Sequence, residues 1–289
     1  MQITEHIHAL KIPFQITVTP GTAIDRFVYA YLICGENITL VDTGVSGSGK
    51  IIFDYLKSIG RGPGEISTIF LTHSHPDHIG SARSIKEISG CSVIAHSAER
   101  FWIEDVGLQL KERPVPGFNT LVEGSVAVDR VVENGEVVKL DGTLALEIFH
   151  TPGHSKGSVS LYLKNDNALF CGDAILLPGQ MPIFEDLPNC INSVNMLKRI
   201  RGVEALLSSW DAPQKGKHVY ELMDESIKYL MKIHEAIRTT SSERSFLEPM
   251  EFCKAVLDKL GLPEAMVNPL VLRSFQSGLN SFGKNTANG

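Results

Sequence analysis

Residues 71–80, LTHSHPDHIG, place three imidazoles and one carboxylate within six residues, at His73, His75, Asp77 and His78. An apolar segment precedes the motif and helical spacing follows it, so these side chains are predicted in a loop at the end of a strand. Alternate residues of an extended segment share a face, so His73 and His75 can point the same way. Imidazole and carboxylate are ligands of zinc and related metals, and four such groups buried without a partner would be destabilising.

The segments around this motif predict an α/β chain. Two β-rich blocks, residues 3–42 and 128–173, are each followed by segments with helical spacing. Within the first block, residues 6–10 and 14–18 are predicted as separate strands. Gly35–Asn37 is predicted as a hairpin turn, and residues 107–124 as an irregular surface loop because of Pro114, Pro116 and Gly117. Shorter predictions are a helix over 47–58, a strand over 66–71, a helix over 79–88, a strand over 91–96, a helix over 191–200 and helices from 219 to the end. The pattern predicts two sheets packed face to face with helices outside.

The composition is that of an ordinary globular protein, with 289 residues of which 43% are hydrophobic and 21% charged. The net charge is −6 and no dense Lys/Arg run is present, which argues against polymeric nucleic acid as a ligand. Five scattered cysteines without a CxxC pair are typical of reduced thiols. The first residues lack a signal-peptide pattern, and the longest apolar runs fall short of the roughly 20 residues that span a bilayer. A cytoplasmic protein without a membrane segment is therefore expected.

Four separated motifs resemble those of the metallo-β-lactamase superfamily, in the same order and over roughly the first 210 residues. They are VDTG at 41–44, THSHPDHIG at 72–80, TPGHSKGS at 151–158 and FCGDAI at 170–175. The resemblance implies a four-layer αββα sandwich, which agrees with the two β-rich blocks. The predicted domains are a catalytic domain over residues 1–214 and a helical C-terminal extension over residues 215–289.

The resemblance also implies a binuclear metal site. His73, His75 and His154 would hold the first ion, Asp77 and His78 the second, and Asp173 would bridge the two. Two divalent ions are expected, with zinc as the first expectation and iron or manganese as alternatives. The ions would generate a hydroxide that attacks a carbonyl or phosphoryl centre, with Asp77 and Asp173 as the catalytic carboxylates. Asp42, in VDTG, would anchor the ligand turn through hydrogen bonds.

One departure from the family pattern concerns a late histidine that usually follows a short apolar strand. Residues 206–213 read LLSSWDAP and contain no histidine, and the next one is His218, at the start of a helical pattern. Asp211 is predicted to supply an oxygen ligand in its place. The alternative is that Asp211 caps the next segment and the second ion has one ligand fewer.

The remaining candidate residues are interpreted mainly as structural. His6, His8, His96 and His150 lack metal-ligand spacing, and Cys171 is predicted as a buried thiol. Lys156 is either a surface lysine or a contact for an anionic substrate, and Trp210 either lines the pocket or packs on a sheet edge. The helical tail could cap the active site, contact substrate or mediate a homodimer.

The predicted function is hydrolysis of a small acyl substrate: an ester, a thioester or a lactone. The alternative is a mononuclear-iron oxidoreductase resembling persulfide dioxygenases, an alternative kept open by the missing late histidine. A nuclease is disfavoured by the acidic charge, and a flavin-linked diiron protein by His75 where that branch has Glu. A secreted β-lactamase is disfavoured by the lack of a signal-peptide pattern. The expected partner is a small-molecule substrate, with no nucleic acid and no membrane, and a homodimer remains open.

Overall fold

The computed structural model of the chain describes residues 1–19, 22–243 and 247–285. The Cα positions divide the chain into two compact units. The first comprises Met1–His150, Gly157–Gly172 and Val203–Gly216, and the second comprises Thr151–Lys156, Asp173–Gly202 and Lys217–Gly289. The predicted domains, 1–214 and 215–289, are not tested by this division and stay a prediction.

The first unit contains a mixed six-stranded sheet in the order β1-β2-β3-β4-β5-β6. Its strands are β1 Ile7–Thr19, β2 Thr22–Cys34, β3 Ile38–Val41, β4 Ile66–Phe70, β5 Ser92–His96 and β6 Arg130–Val132. Strands β1 to β3 pair antiparallel, while β3 to β6 pair parallel. Parallel neighbours need crossover connections, and the helices α1 (Ser48–Ser58), α2 (Pro76–Ile79) and α3 (Ala82–Ser89) lie in these connections. The predicted hairpin turn at 35–37 is confirmed between β2 and β3.

A second six-stranded sheet in the same unit has the order β12-β11-β10-β9-β8-β7. Its strands are β7 Val137–Lys139, β8 Ala145–His150, β9 Val159–Leu163, β10 Ala168–Gly172, β11 Ala205–Ser208 and β12 Gln214–Lys215. Only β10 and β11 pair parallel in this sheet. The Asn134–Gly135 turn lies between β6 of the first sheet and β7 of the second, although the sequence pattern placed both strands in one block.

Two hydrophobic clusters show how the first unit is layered. One cluster combines residues of both sheets, including Tyr31, Phe70, Leu146 and Phe170. Tyr31 and Phe170 meet edge to face with ring centroids 5.5 Å apart. The other cluster joins the opposite face of the first sheet to its helices. The prediction of two sheets packed face to face with helices outside is therefore confirmed in this unit.

The second unit is mostly helical. It contains α7 (Leu187–Leu197), α8 (His218–Glu243), α9 (Pro249–Leu260) and α10 (Pro269–Asn285), together with the turn at 151–156. The predicted C-terminal helices are confirmed, while the parts of that prediction at 244–246 and 286–289 lie outside the described residues. Within the described ranges, no helix has the length and apolar character needed to cross a membrane.

Two local predictions are wrong. Residues 107–124 are not an irregular loop but contain α5 (Val106–Glu112) and α6 (Phe118–Leu121), after α4 (Arg100–Glu104). Asp105 caps α5 by accepting a hydrogen bond from the Leu108 N–H at 2.9 Å. The prolines and the glycine at 114–117 lie between α5 and α6 and interrupt neither helix. Residues 7–18, predicted as parts of two separate strands, lie in the single strand β1. Pro13 is tolerated there because β1 is an edge strand and needs no second partner.

Candidate metal centre

The HxHxDH turn follows the carboxyl end of β4 and leads into α2. Pro76 occupies the first helical position of α2, where its missing N–H has no intrahelical partner to lose. His73, His75 and His78 are buried, whereas the side chain of Asp77 is 17% exposed. The motif therefore buries the histidine rings and leaves one carboxylate partly accessible.

His73 and His75 present nitrogens to a common point. His73 Nε2 and His75 Nδ1 lie 3.0 Å apart, and the two rings meet nearly edge to face at a centroid distance of 4.5 Å. Two imidazole nitrogens bound to one tetrahedral zinc ion would lie about 3.3 Å apart, since each Zn–N bond is about 2.0–2.1 Å. The separation of the two nitrogens is close to that value.

His78 is oriented by Asp42, as predicted for the carboxylate of the VDTG motif. His78 Nδ1 donates to Asp42 Oδ2 at 2.8 Å, which leaves Nε2 as the nitrogen that carries a lone pair. Asp42 also accepts the Thr72 N–H at 2.8 Å and the Thr72 hydroxyl at 2.7 Å. Asp42 has φ 58°, a left-handed conformation that Asp adopts more readily than most residues. His78 Nε2 lies 3.6 Å from Asp77 Oδ2, so the two predicted ligands are neighbours.

Two residues that the sequence did not reveal hold Ser74, which lies between His73 and His75. The buried Glu99 carboxylate accepts the Ser74 N–H at 3.0 Å, the Ser74 hydroxyl and the Gly157 N–H at 2.6 Å. Gln109 Nε2 donates to the Ser74 carbonyl at 2.5 Å from inside α5. All three polar groups of Ser74 are thus bound. No sequence signal marks either partner, because both act on backbone atoms distant along the chain.

His154 and Asp173 lie together in the second unit. His154 Nδ1 donates to the Ile183 carbonyl at 2.9 Å, and its Nε2 lies 3.3 Å from Asp173 Oδ2. A carbonyl oxygen can only accept, so Nδ1 carries the proton and Nε2 offers a lone pair. Gly153, with φ 131°, allows the turn before His154, and a Cβ there would lie 2.4 Å from the Cys190 nitrogen.

Four of the predicted ligands form one group that could hold a metal ion. One ligand atom from each of His73, His75, His154 and Asp173 can be chosen so that all of them lie within 4.8 Å of one another. Three imidazoles and a carboxylate are a donor set that suits zinc, iron or manganese. The residues present therefore fit the metal implied by the sequence motifs.

Comparison with known proteins gives the family. A family model described as Metallo-beta-lactamase superfamily matches residues 23–207, more than half of the chain. The chain belongs to this superfamily. A crystal structure of a metallo-beta-lactamase family protein from Thermus thermophilus superposes with a TM-score of 0.73 at 20% identity, covering 98% of this chain and 95% of that one. The αββα metallo-β-lactamase fold with a C-terminal helical region is thereby confirmed.

Two curated relatives are similar over part of their length. "Probable metallo-hydrolase YqgX" of Bacillus subtilis is 32% identical over 149 residues, which are 52% of this chain and 66% of that protein. A hydroxyacylglutathione hydrolase of Pseudomonas paraeruginosa is 32% identical over 124 residues, 43% of this chain and 38% of that enzyme. The chain thus spans less than two thirds of the length of either relative.

Asp211 lies within residues 206–213, the predicted place of the family's late histidine, and His218 follows that stretch. Asp211 is not in the four-residue group among the described residues, and its role as a ligand stays a prediction. Burial raises the pKa of Tyr29, and the negative charge of Asp211 adds to this shift. Burial also raises the pKa of Tyr31 well above its usual value, with the Asp211 charge among the smaller contributions. His218 is largely exposed and pairs with Glu221 at 2.8 Å in the first turn of α8.

The histidines interpreted as structural each have a partner of their own. His6 Nδ1 lies 2.6 Å from Asp166, His8 Nδ1 lies 2.8 Å from the Tyr55 hydroxyl, and His96 stacks on His150 with centroids 4.2 Å apart. Burial lowers the pKa of His8 and of His96, which favours their neutral forms.

Three further candidate residues are Cys171, Trp210 and Lys156. Cys171 is a buried free thiol, as predicted, with its Sγ 3.1 Å from Ser208 Oγ. Trp210 contacts the rings of Phe14 and Phe27, and Lys156 is exposed.

Proposed function

We propose that the chain is a metal-dependent hydrolase of a small acyl compound, an ester, a thioester or a lactone. The observation that carries the proposal is the convergence of ligand atoms from His73, His75, His154 and Asp173 in a member of this superfamily. Such a donor set, with the His154 ring bound on its far nitrogen by the Ile183 carbonyl, suits catalysis by a metal better than a purely structural role.

The proposed centre holds two divalent ions, zinc in the first instance. His73, His75 and His154 would bind one ion, Asp77 and His78 the other, and Asp173 both. Asp211 would complete the second site in place of a histidine. When bound, the ions would lower the pKa of a bound water toward about 7 and stabilise negative charge on a substrate oxygen.

The chain's own residues supply orientation and proton handling. Asp42 and the Ile183 carbonyl accept hydrogen bonds from the Nδ1–H groups of His78 and His154, so both rings keep Nε2 available for binding. Glu99 and Gln109 fix the backbone between His73 and His75. The partly exposed Asp77 can hold a proton at its carboxylate and exchange it with solvent.

The acyl class of substrate is supported by a relative whose name states that it hydrolyses a hydroxyacylglutathione. The match covers 38% of that enzyme, so the proposal takes from it an acyl substrate and not glutathione. A substrate of small size also agrees with the acidic net charge of −6, which is unfavourable for a polyanion.

The test is a panel of thioesters, lactones and phosphodiesters given to the purified full chain with and without a chelator. Chelation is expected to abolish hydrolysis of an acyl substrate and added zinc to restore it. His154→Ala should lose activity, while the matched control His218→Ala, an exposed histidine paired with Glu221, should keep it. Hydrolysis that survives complete removal of metal contradicts the proposal. Oxygen uptake with a persulfide by an iron-loaded chain would instead support the dioxygenase alternative.

A further inference from the structure

The segment 180–184 lies between a proposed metal ligand and the C-terminal helices within the second unit. Its Ile183 carbonyl oxygen accepts a hydrogen bond from His154 Nδ1–H, with the nitrogen and the oxygen 2.9 Å apart. A group that binds the far nitrogen of a ligating histidine sets the tautomer and the orientation of the ring. Here that group is a backbone carbonyl, so its position depends on how the segment itself is held.

Three C-terminal elements each bind this segment. The Tyr229 hydroxyl, in α8, donates to the Gln180 carbonyl at 3.1 Å. Asn268, just before α10, places its Nδ2 3.6 Å from Met181 Sδ, and the Phe184 N–H donates to Ser274 Oγ of α10 at 2.9 Å. The helical extension therefore fixes the segment at both of its ends.

The bond to Ser274 acts on the same peptide unit that orients His154. The Ile183 carbonyl and the Phe184 N–H belong to one planar group, and in a trans peptide they point in opposite directions. Ser274 is 2% exposed, and its hydroxyl proton goes to the Leu270 carbonyl at 3.2 Å, which leaves its oxygen to accept from Phe184. A donor and an acceptor at the two ends of one peptide unit also polarise it and strengthen both bonds.

The backbone just before His154 is hydrogen-bonded to residues 185–193, which follow the segment 180–184 in the chain. The Gly153 carbonyl accepts the N–H groups of Glu185 and Asp186 at 2.7 and 3.0 Å. The Ser193 hydroxyl, in α7, donates to the Pro152 carbonyl at 2.7 Å. Both the ring and the backbone of His154 thus take their positions from residues 183–193.

We infer that the C-terminal extension positions a metal ligand, with Ser274 as the positioning residue that acts on His154 through the Ile183–Phe184 peptide. The inference rests on the proposed role of His154 in binding metal. It gives the tail a function in metal affinity that is separate from contacts with substrate or with a second copy of the chain.

The test compares Ser274→Val with Ser274→Thr, two variants of the same shape that differ in the hydroxyl. Zinc affinity is measured on the full chain by competition with a chelator, and the tautomer of His154 by nitrogen NMR of its ring. Ser277→Ala is the control in the same helix, since the Ser277 hydroxyl donates to the Ser274 carbonyl within α10. His154→Ala is measured alongside.

Direct partners of ligating histidines typically account for about 10–100-fold in metal affinity, so Ser274→Val, one step removed, should weaken zinc binding by about three- to tenfold. Ser274→Thr and Ser277→Ala should bind zinc as the unaltered chain does, and Ser274→Val should show a mixed His154 tautomer. Equal zinc affinity in the Val and Thr variants overturns the inference, even if Ser274→Val melts at a lower temperature.

The two proposals can fail separately. If His154→Ala binds zinc undiminished, the proposed function fails. If His154→Ala weakens binding and Ser274→Val does not, only the positioning inference fails. Should Ser274→Val not fold, hydrogen exchange on the unaltered chain decides instead: the Phe184 amide must be protected, and exchange at the rate of an unfolded chain overturns the inference.

Discussion

Two buried carboxylates, Asp42 and Glu99, hold the turn that carries the HxHxDH motif. Asp42 binds the Thr72 N–H, the Thr72 hydroxyl and His78, while Glu99 binds Ser74 and the Gly157 N–H. Each carboxylate is 2–3% exposed, so its hydrogen bonds compete little with water. Asp42 and Glu99 are therefore expected to be important for the metal centre although neither is a proposed metal ligand.

Asp42→Asn is expected to weaken zinc binding by about 10–100-fold, the range found for partners of ligating histidines. Asn tolerates the left-handed backbone at this position, so the variant should fold. Its amide replaces a charged acceptor that takes three hydrogen bonds. Chelator competition measures the effect, with the exposed Asp54→Asn as the control. An unchanged affinity would show that Asp42 does not orient His78.

Glu99→Gln is expected to lower the free energy of unfolding by about 2–3 kcal/mol, because a buried donor at Ser74 or Gly157 then faces an amide NH₂. Zinc affinity should fall as well, since Ser74 lies between two proposed ligands. Urea unfolding measures the first effect and chelator competition the second. The control is Glu87→Gln, whose side chain is 63% exposed. A variant as stable as that control would contradict the role given to Glu99.

The candidate site could be predicted from the sequence only where its chemistry is local. The HxHxDH motif is visible because its ligands fall within six residues, and the resemblance added Asp42, His154 and Asp173. The roles of Glu99, Gln109 and Ser274 could not be predicted, because each residue binds a main-chain group far away in sequence. Main-chain groups have no side-chain identity, so no residue pattern records such bonds.

At the scale of secondary-structure elements, Asp141 ties together two turns of the first unit. Its carboxylate accepts the N–H groups of Leu144 at 2.7 Å and Thr143 at 2.8 Å in the turn between β7 and β8. It also accepts the Glu36 N–H at 3.1 Å, in the turn between β2 and β3. A Cβ on Gly35 would lie 2.1 Å from Asp141 Oδ2, so only glycine fits beside this carboxylate.

Asp141→Ala is expected to lower the free energy of unfolding by about 1 kcal/mol at pH 7, a value reduced from that of a buried charged bond because the group is accessible to water. The N–H groups of Leu144 and Thr143 lower the pKa of Asp141 from 3.8 to about 2. A lowered carboxyl pKa stabilises the fold above pH 3.8, and this contribution is lost as the pH falls toward 2. Urea unfolding and an NMR titration of the carboxyl measure both effects. A titration midpoint near 3.8 would contradict the account.

The order of strands and helices could be predicted, whereas the partners of several elements could not. Strands β6 and β7 look alike in the sequence around Asn134–Gly135, yet they join different sheets. Residues 107–124 carry prolines and glycine, but Gln109, Phe118 and Leu121 are buried and their helices form around them. In both cases the residue pattern allows more than one local structure, and tertiary packing determines which one forms.

For the whole molecule, zinc is expected to bind the folded chain and not the unfolded one, because the proposed ligands are spread from residue 73 to residue 211. At 100 times its dissociation constant, a ligand of this kind stabilises by about 2.7 kcal/mol. The Tm should then rise by roughly 4–5 °C for a chain of 289 residues, and a chelator should reverse the rise. Differential scanning calorimetry with and without zinc measures the shift. A Tm that is indifferent to zinc, iron and manganese would contradict a metal centre.

The most direct test of the account is the metal content of the purified, folded full chain after loading, measured by mass spectrometry of the elements. The account predicts close to two zinc ions per chain, a clear loss in His154→Ala and no loss in His218→Ala. A folded chain that stays empty when zinc, iron and manganese are all supplied would contradict it. Metal content that is the same in the unaltered chain and in His154→Ala would do so as well.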